Sequence, residues 1–129
     1  MNHSLTLLGI ARKAGLLAVG GDAVSAAARA GKAKLIISAS DASERAIRRA
    51  IDDTSISRAI HINVPYTKFE LGSITGRGSP GTVAILDTGL AAGFAEKLAK
   101  AKPEIYGGAA EILNKKARAL TDKKKQLRG

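Results

Sequence analysis

Apolar positions along the first three-quarters of the chain alternate between helical and strand-like spacing. Ser4 is placed to cap a first helix, Leu5 to Ala14, with Leu5, Leu8 and Ala11 along one side and Gly15 as its stop. Leu16-Leu17-Ala18-Val19 is short and apolar, of strand length, and Gly20-Gly21-Asp22 turns the chain after it. Asp22 is a suitable N-cap for a second helix ending at Gly31, with Val24, Ala27 and Ala28 facing inward. Leu35-Ile36-Ile37 is a continuous apolar run, the pattern of a strand buried on both faces.

Asp41-Ala42-Ser43-Glu44 has capping-box spacing, with Asp41 at the N-cap and Glu44 three residues on. The helix it opens carries Ala46, Ile47, Ala50 and Ile51 on one face and Arg45, Arg48, Arg49 and Asp52 on another. Ile60 to Val64 reads as a strand stopped by Pro65, and Thr67 to Glu70 repeats the capping-box spacing. Thr82-Val83-Ala84-Ile85-Leu86 is the fourth strand, and Asp87 or Thr88 caps a helix with Leu90, Phe94 and Leu98 at helical spacing. This order predicts an α/β fold, a three-layer α/β/α sandwich around a four-stranded central sheet. Lys102-Pro103 and Gly107-Gly108 interrupt the pattern, although Ala109 to Leu120 has helical spacing. Two parts are expected: a domain over residues 1–100 and a basic C-terminal extension over 101–129.

Charge changes the picture. Of 129 residues, 21 are Lys or Arg and 11 are Asp or Glu, a net charge of +10 that points to a polyanionic partner. Residues 96–129 carry +6 of it and the first 95 carry +4. The absence of cysteine excludes a disulfide scaffold, a thiolate metal site and a cysteine nucleophile, and suits a cytoplasmic protein. No apolar run spans a bilayer, and Met1-Asn2-His3-Ser4 has no basic region ahead of an apolar core, so neither membrane nor leader is expected. Aromatics are only 3%, which argues against a single-strand binder that stacks bases on aromatic platforms.

Chemistry-bearing motifs are few. Gly76-Arg77-Gly78-Ser79-Pro80-Gly81 has the letters of a dinucleotide fingerprint, but it follows a helix and precedes a strand, and Pro80 lacks an amide donor. It reads as an exposed loop that offers amides and Arg77 to a phosphate backbone. Val19-Gly20-Gly21-Asp22 is a strand–turn–helix junction whose glycines serve either a tight turn or close approach of a ligand to a helix N-terminus. His61 lies inside a strand, no His/Asp/Glu cluster has metal-ligand spacing, and Asp52-Asp53 has no partner in view. Arg45, Arg48 and Arg49 form a basic stripe, and Lys32 and Lys34 are placed to extend the same positive surface. Nothing supports catalysis, and neither a cofactor nor a metal is expected.

The runs Leu8-Gly9-Ile10-Ala11-Arg12-Lys13-Ala14-Gly15, Val19-Gly20-Gly21-Asp22, Ala30-Gly31-Lys32-Ala33-Lys34-Leu35-Ile36-Ile37 and Ser40-Asp41-Ala42-Ser43 resemble the kink-turn-binding ribosomal protein superfamily. The resemblance is strongest to its bacterial YlxQ-like branch, which Val64-Pro65-Tyr66-Thr67-Lys68 and Leu71-Gly72 also suit, and it covers roughly residues 4–100. It implies an α/β/α sandwich that binds RNA along one edge. Carried over residue by residue, that edge comprises Gly20, Gly21 and Asp22, the start of the third helix at Ser43 and Ile47, and Arg77 and Gly78 before the last strand. Kink-turn readers of the family carry Asn-Glu and a Lys one helical turn on, where this chain has Asp22-Ala23 and Ala26.

The expectation is a non-catalytic RNA-binding protein, monomeric and cytoplasmic, whose partner is structured RNA such as ribosomal RNA, on or off the ribosome. Lys32, Lys34, Arg45 and the tail residues Lys123, Lys124 and Lys125 are expected to contact phosphates. The alternatives are a protein-interaction adaptor on the same fold, against which the charge argues, and a recognition module acting with an RNA-modifying enzyme.

Overall fold

The computed structural model of the chain describes residues 3–128. The leader reading at Met1 and Asn2 and the final Gly129 lie outside the described residues, as do the side chains of His3, Leu127 and Arg128. Ten elements follow one another: α1 (His3–Lys13), β1 (Leu17–Val19), α2 (Gly21–Arg29), β2 (Leu35–Ser38), α3 (Glu44–Ser57), β3 (Ile60–Asn63), α4 (Lys68–Thr75), β4 (Thr82–Ile85), α5 (Thr88–Ala101) and α6 (Pro103–Arg128). The sheet order is β1-β4-β2-β3, with β4 antiparallel to both of its neighbours and β2 parallel to β3. The expected α/β/α sandwich with a four-stranded sheet is the architecture found.

Alternation along the central strands divides the core in two. Leu35, Ile37, Val83 and Ile85 face the layer that holds Leu8 of α1, Leu71 of α4, Phe94 of α5 and Leu113 of α6. Ile36 and Ala84 face α2 and α3, where Val24, Ala28 and Ala50 complete a smaller cluster. Small alanines on that side bring both helices close to the sheet, and therefore bring their polar edges close to each other. Both faces of β2 are covered, which is why its sequence is apolar without alternation.

Several local expectations are corrected. Ser4 lies inside α1, and its hydroxyl bonds the Tyr66 hydroxyl instead of capping the helix. Gly20, not Asp22, is the N-cap of α2, since φ of +92° there lets the chain leave β1 and enter the helix at once. Ser43, not Asp41, caps α3 by accepting from the Ala46 amide. Asp41 instead accepts from the Lys68 amide at 2.8 Å and ties the start of α4 to the loop before α3. On α3 the inward face is Ala46, Ala50 and Asp53, while Ile51 is 49% exposed, because the close approach of α2 admits only short or hydrogen-bonded side chains. The box at Thr67 and Glu70 and the cap at Asp87 form as expected.

The largest departure is the end of the chain. Pro103 stops α5 and opens α6, its missing amide costing nothing at a first helical position. The helix then runs unbroken through Gly107 and Gly108. Tyr106, Ala110 and Leu113 are buried against the sheet and α5, and their burial, roughly 1.5–3 kcal/mol for a fully buried large side chain, outweighs about 1 kcal/mol lost per glycine. Beyond Ala117 the side chains up to Gln126 are exposed.

Candidate nucleic-acid interface

One end of the sheet gathers most of the predicted edge. Gly20 donates its amide to Thr82 O, and Ala39 donates to Gly81 O, so the turn after β1, the end of β2 and the entry to β4 meet there. Between this end, the first turn of α2 and the side of α3 that faces α2 lies a cleft of about 250 Å³. Gly21, Ser43, Arg45, Arg49, Gly81 and Thr82 line it.

Arg49 organises the cleft. Its Nε donates to Ser25 Oγ at 2.9 Å, and one Nη donates to Asp22 Oδ1 at 2.9 Å. Ser25 in turn donates to Asp53 Oδ2 at 2.7 Å. Asp53 is buried, so this relay from guanidinium through hydroxyl to carboxylate supplies the compensation that a buried acid requires. The pairing corrects the expectation that Asp53 lacks a partner. It also changes the part of Asp22, whose Oδ1 accepts from Arg49 at the exposed rim of the cleft while the side chain stays open to solvent. A Cβ on Gly21 would lie 3.0 Å from the Arg49 Nη1, so the guanidinium rests directly over the start of α2. With two of the five N–H donors of the group engaged, the rest remain for a ligand, and the side chain is already ordered before one arrives.

The cleft is not a simple positive patch. Arg45, Arg48 and Arg49 share a second, shallower hollow with Asp52, and Arg48 pairs at 4.0 Å with Glu44 where both are highly exposed. Acids and arginines are interleaved, so this end of the molecule carries little net positive charge.

Other predicted residues fall elsewhere. Ile47 is half-buried on α3, one turn after Ser43. Arg77 and Gly78 are exposed in the loop before β4 and do not line the cleft; Gly81 of the same loop does. That loop is pinned by Gly72, where a Cβ would stand 1.7 Å from Gly78 O, so α4 and the loop touch backbone to backbone. Lys32 and Lys34 do not extend the surface. The Lys34 amide donates to Ile85 O, at the opposite end of the sheet. Lys123, Lys124 and Lys125 are exposed on the last turns of α6. Sequence reasoning passed over Gly81, Thr82 and the buried Ser25. Arg49 was visible as part of the stripe, but its partners lie 24 and 27 residues away, beyond any helical spacing.

His61 holds Ser38 Oγ at 2.9 Å from Nε2, and burial lowers its pKa below the usual histidine value, so the neutral ring is favoured. Burial, then the neighbouring Tyr66, raises the Tyr106 pKa, which keeps its hydroxyl a donor to Asn63 O at 2.8 Å. Among the described residues no group of three or more His, Cys, Asp or Glu side chains is placed to hold a metal ion, and no helix is long and apolar enough to cross a membrane.

Fold and cleft together define a three-layer α/β/α protein with a preorganised arginine beside a glycine-rich helix start. Comparison with solved structures places this class. A protein of unknown function from Bacillus halodurans C is similar with a TM-score of 0.67 and 25% identity, over 75% of this chain and 97% of that one. The Giardia lamblia 15.5kD RNA binding protein is similar with a TM-score of 0.56 and 21% identity, over 74% of this chain and 82% of that one. No protein-family model and no curated protein sequence matches the chain.

Proposed function

We propose that this protein is a non-catalytic RNA-binding protein that seats a structured RNA in the cleft formed by α2, α3 and the entry to β4. The observation that carries the reading is Arg49, held by Ser25 and Asp22 over the glycine start of α2, with Arg45 and Ser43 facing the same space. Amides of the first turn of α2 lack intrahelical partners and can donate to a phosphate or a base edge. A fixed guanidinium adds planar, multidentate donation. Likeness of fold to the Giardia RNA binding protein supports the reading, as does the charge of +10. The resemblance to the kink-turn-binding superfamily is part of the same proposal, with Ala23 and Ala26 standing where its readers carry longer polar groups. We place the protein in the cytoplasm as a monomer, with ribosomal or another structured RNA as its partner.

The experiment is a competition between an RNA with an internal loop or sharp bend and a plain duplex of equal length. The native protein should prefer the structured RNA. Replacing Arg45 with Ala and Arg49 with Lys, which keeps a cation beside Ser25 and Asp22 while removing the planar fork, should leave the chain folded and reduce that preference about tenfold, equivalent to roughly 1.4 kcal/mol. No RNA binding at low salt, or an undiminished preference in the folded double variant, overturns the proposal.

A further inference from the structure

The positive charge that the cleft lacks is found at the other end of the molecule. Tyr106, early in α6, bonds Asn63 O at the cleft end of the sheet, and Lys116 Nζ reaches Arg58 O at 3.4 Å beyond the far end. Helix α6 therefore runs the length of the sheet away from the cleft. At about 3.3 Å per strand residue, Lys34 and Ala39 mark ends roughly 16 Å apart along β2. At the far end a groove of about 360 Å³ separates α6 from the turns after α2 and α3. Lys34 and Arg58 stand on one wall, and Lys116 and Lys123 on the α6 wall together with Leu113 and Leu120. Among the described residues no carboxylate lines this groove; the adjacent Asp87 accepts from the Leu90 amide as the cap of α5. Arg58 holds a φ of +59° at the C-cap of α3, a left-handed conformation in which glycine or asparagine is usual, and so presents its side chain at some backbone cost.

We propose that this groove is a second RNA site and that the protein bridges two RNA segments, one at each end of its sheet. The inference rests on the RNA reading of the cleft, and the two fail differently. A strand laid along the groove places phosphates against cations on both walls and sugars over Leu120, which is 48% exposed. Lys116 and Lys123, seven residues apart, are spaced by about 10 Å along the helix. Exposed Lys124 follows on the same side of the helix, whereas Arg118 and Lys125 lie on the opposite face and Lys115 pairs with Glu111 at 3.4 Å. A continuous polyanion pairs successive phosphates with the four groove cations and reaches on to Lys124, whereas an acidic amphipathic peptide would stop within the groove. The two ends divide the work: hydrogen-bond geometry at the cleft, counterion release at the far groove.

The test uses the full chain with two populations of a short RNA duplex interrupted by an internal loop, one carrying a donor dye and one an acceptor. At saturation the native protein should bind two duplexes per monomer and bring the dyes together. A triple variant with Lys34→Glu, Lys116→Glu and Lys123→Glu, checked for fold by circular dichroism, should bind one duplex, lose the energy transfer and keep the preference for structured RNA. Its log–log salt slope should fall by about 0.7–0.9 for each contact removed. One duplex per native monomer, with the triple variant also binding one, overturns the second site and leaves the cleft. One duplex per native monomer and none for the variant overturns the cleft reading instead. Two duplexes on the variant also overturn the proposal. A designed acidic leucine-bearing helical peptide completes the set: if it occupies the groove and the duplex does not, the far end is a protein site and the inference is wrong.

Discussion

Gly20 and Gly21 are adjacent and serve different ends. Gly20 has φ of +92° and nothing within 4 Å of where its Cβ would be, so its requirement is purely conformational. Gly21 needs no unusual φ; the space above it is taken by the Arg49 guanidinium at 3.0 Å. Gly20→Ala should therefore cost about 1–3 kcal/mol in a denaturant melt through backbone strain. Gly21→Ala should cost under about 0.5 kcal/mol, because the far end of a long side chain yields easily. Equal losses at the two positions would show that the turn is not what distinguishes them. From the sequence the pair is legible as a junction where backbone approaches something closely. Which glycine turns the chain, and that Asp22 is already held by Arg49, depends on the packing of α3 against α2 and is not written in local spacing.

At the scale of elements, strands and helix periods were legible because burial enforces them: β2 and β4 are buried throughout, and α5 carries Phe94 and Leu98 on its inner face. Caps were less legible where two candidates stood within a few residues. Asp41 and Ser43 both suit the start of α3, and the choice fell to Ser43 because Asp41 is taken by the Lys68 amide. Gly107-Gly108 misled for a related reason. Local propensity opposes a helix there, but Tyr106 and Ala110 on either side are pinned to the core. Neither glycine is required by contact, since a Cβ at each would meet nothing within 4 Å. Gly108→Ala, on an exposed position, should thus stabilise the protein by about 0.5–1 kcal/mol, roughly 2–5 °C in Tm, with RNA binding unchanged. A thermal melt that shows no gain, or a loss, would mean that the helix is bent or mobile at that point.

The whole molecule places the arginine-bearing cleft and the lysine-rimmed groove at opposite ends of one sheet. Net charge was legible as a pull toward polyanions, and its concentration in the tail was legible too. Its direction was not: only the packing of Tyr106, Ala110 and Leu113 makes α6 point away from the cleft. That direction also decides what cutting the tail should do. A chain ending at Leu113 keeps those three buried residues and loses Lys115, Lys116, Arg118, Lys123, Lys124, Lys125 and Arg128 against one acid, Asp122. Ala117, which packs partly on the core, goes as well, so a small drop in Tm is expected. Affinity for every RNA should fall, and the salt slope should flatten by about 0.7–0.9 per lost contact. The preference between structured RNA and plain duplex should stay where it was, since the cleft is untouched and lysines on an exposed helix contact phosphates without reading bases. If the truncated chain keeps its salt slope and only melts earlier, α6 is a structural brace and its lysines serve solubility. If instead the preference collapses with the slope, the two ends act as one continuous site, and the separation of shape from charge along the sheet has no functional meaning.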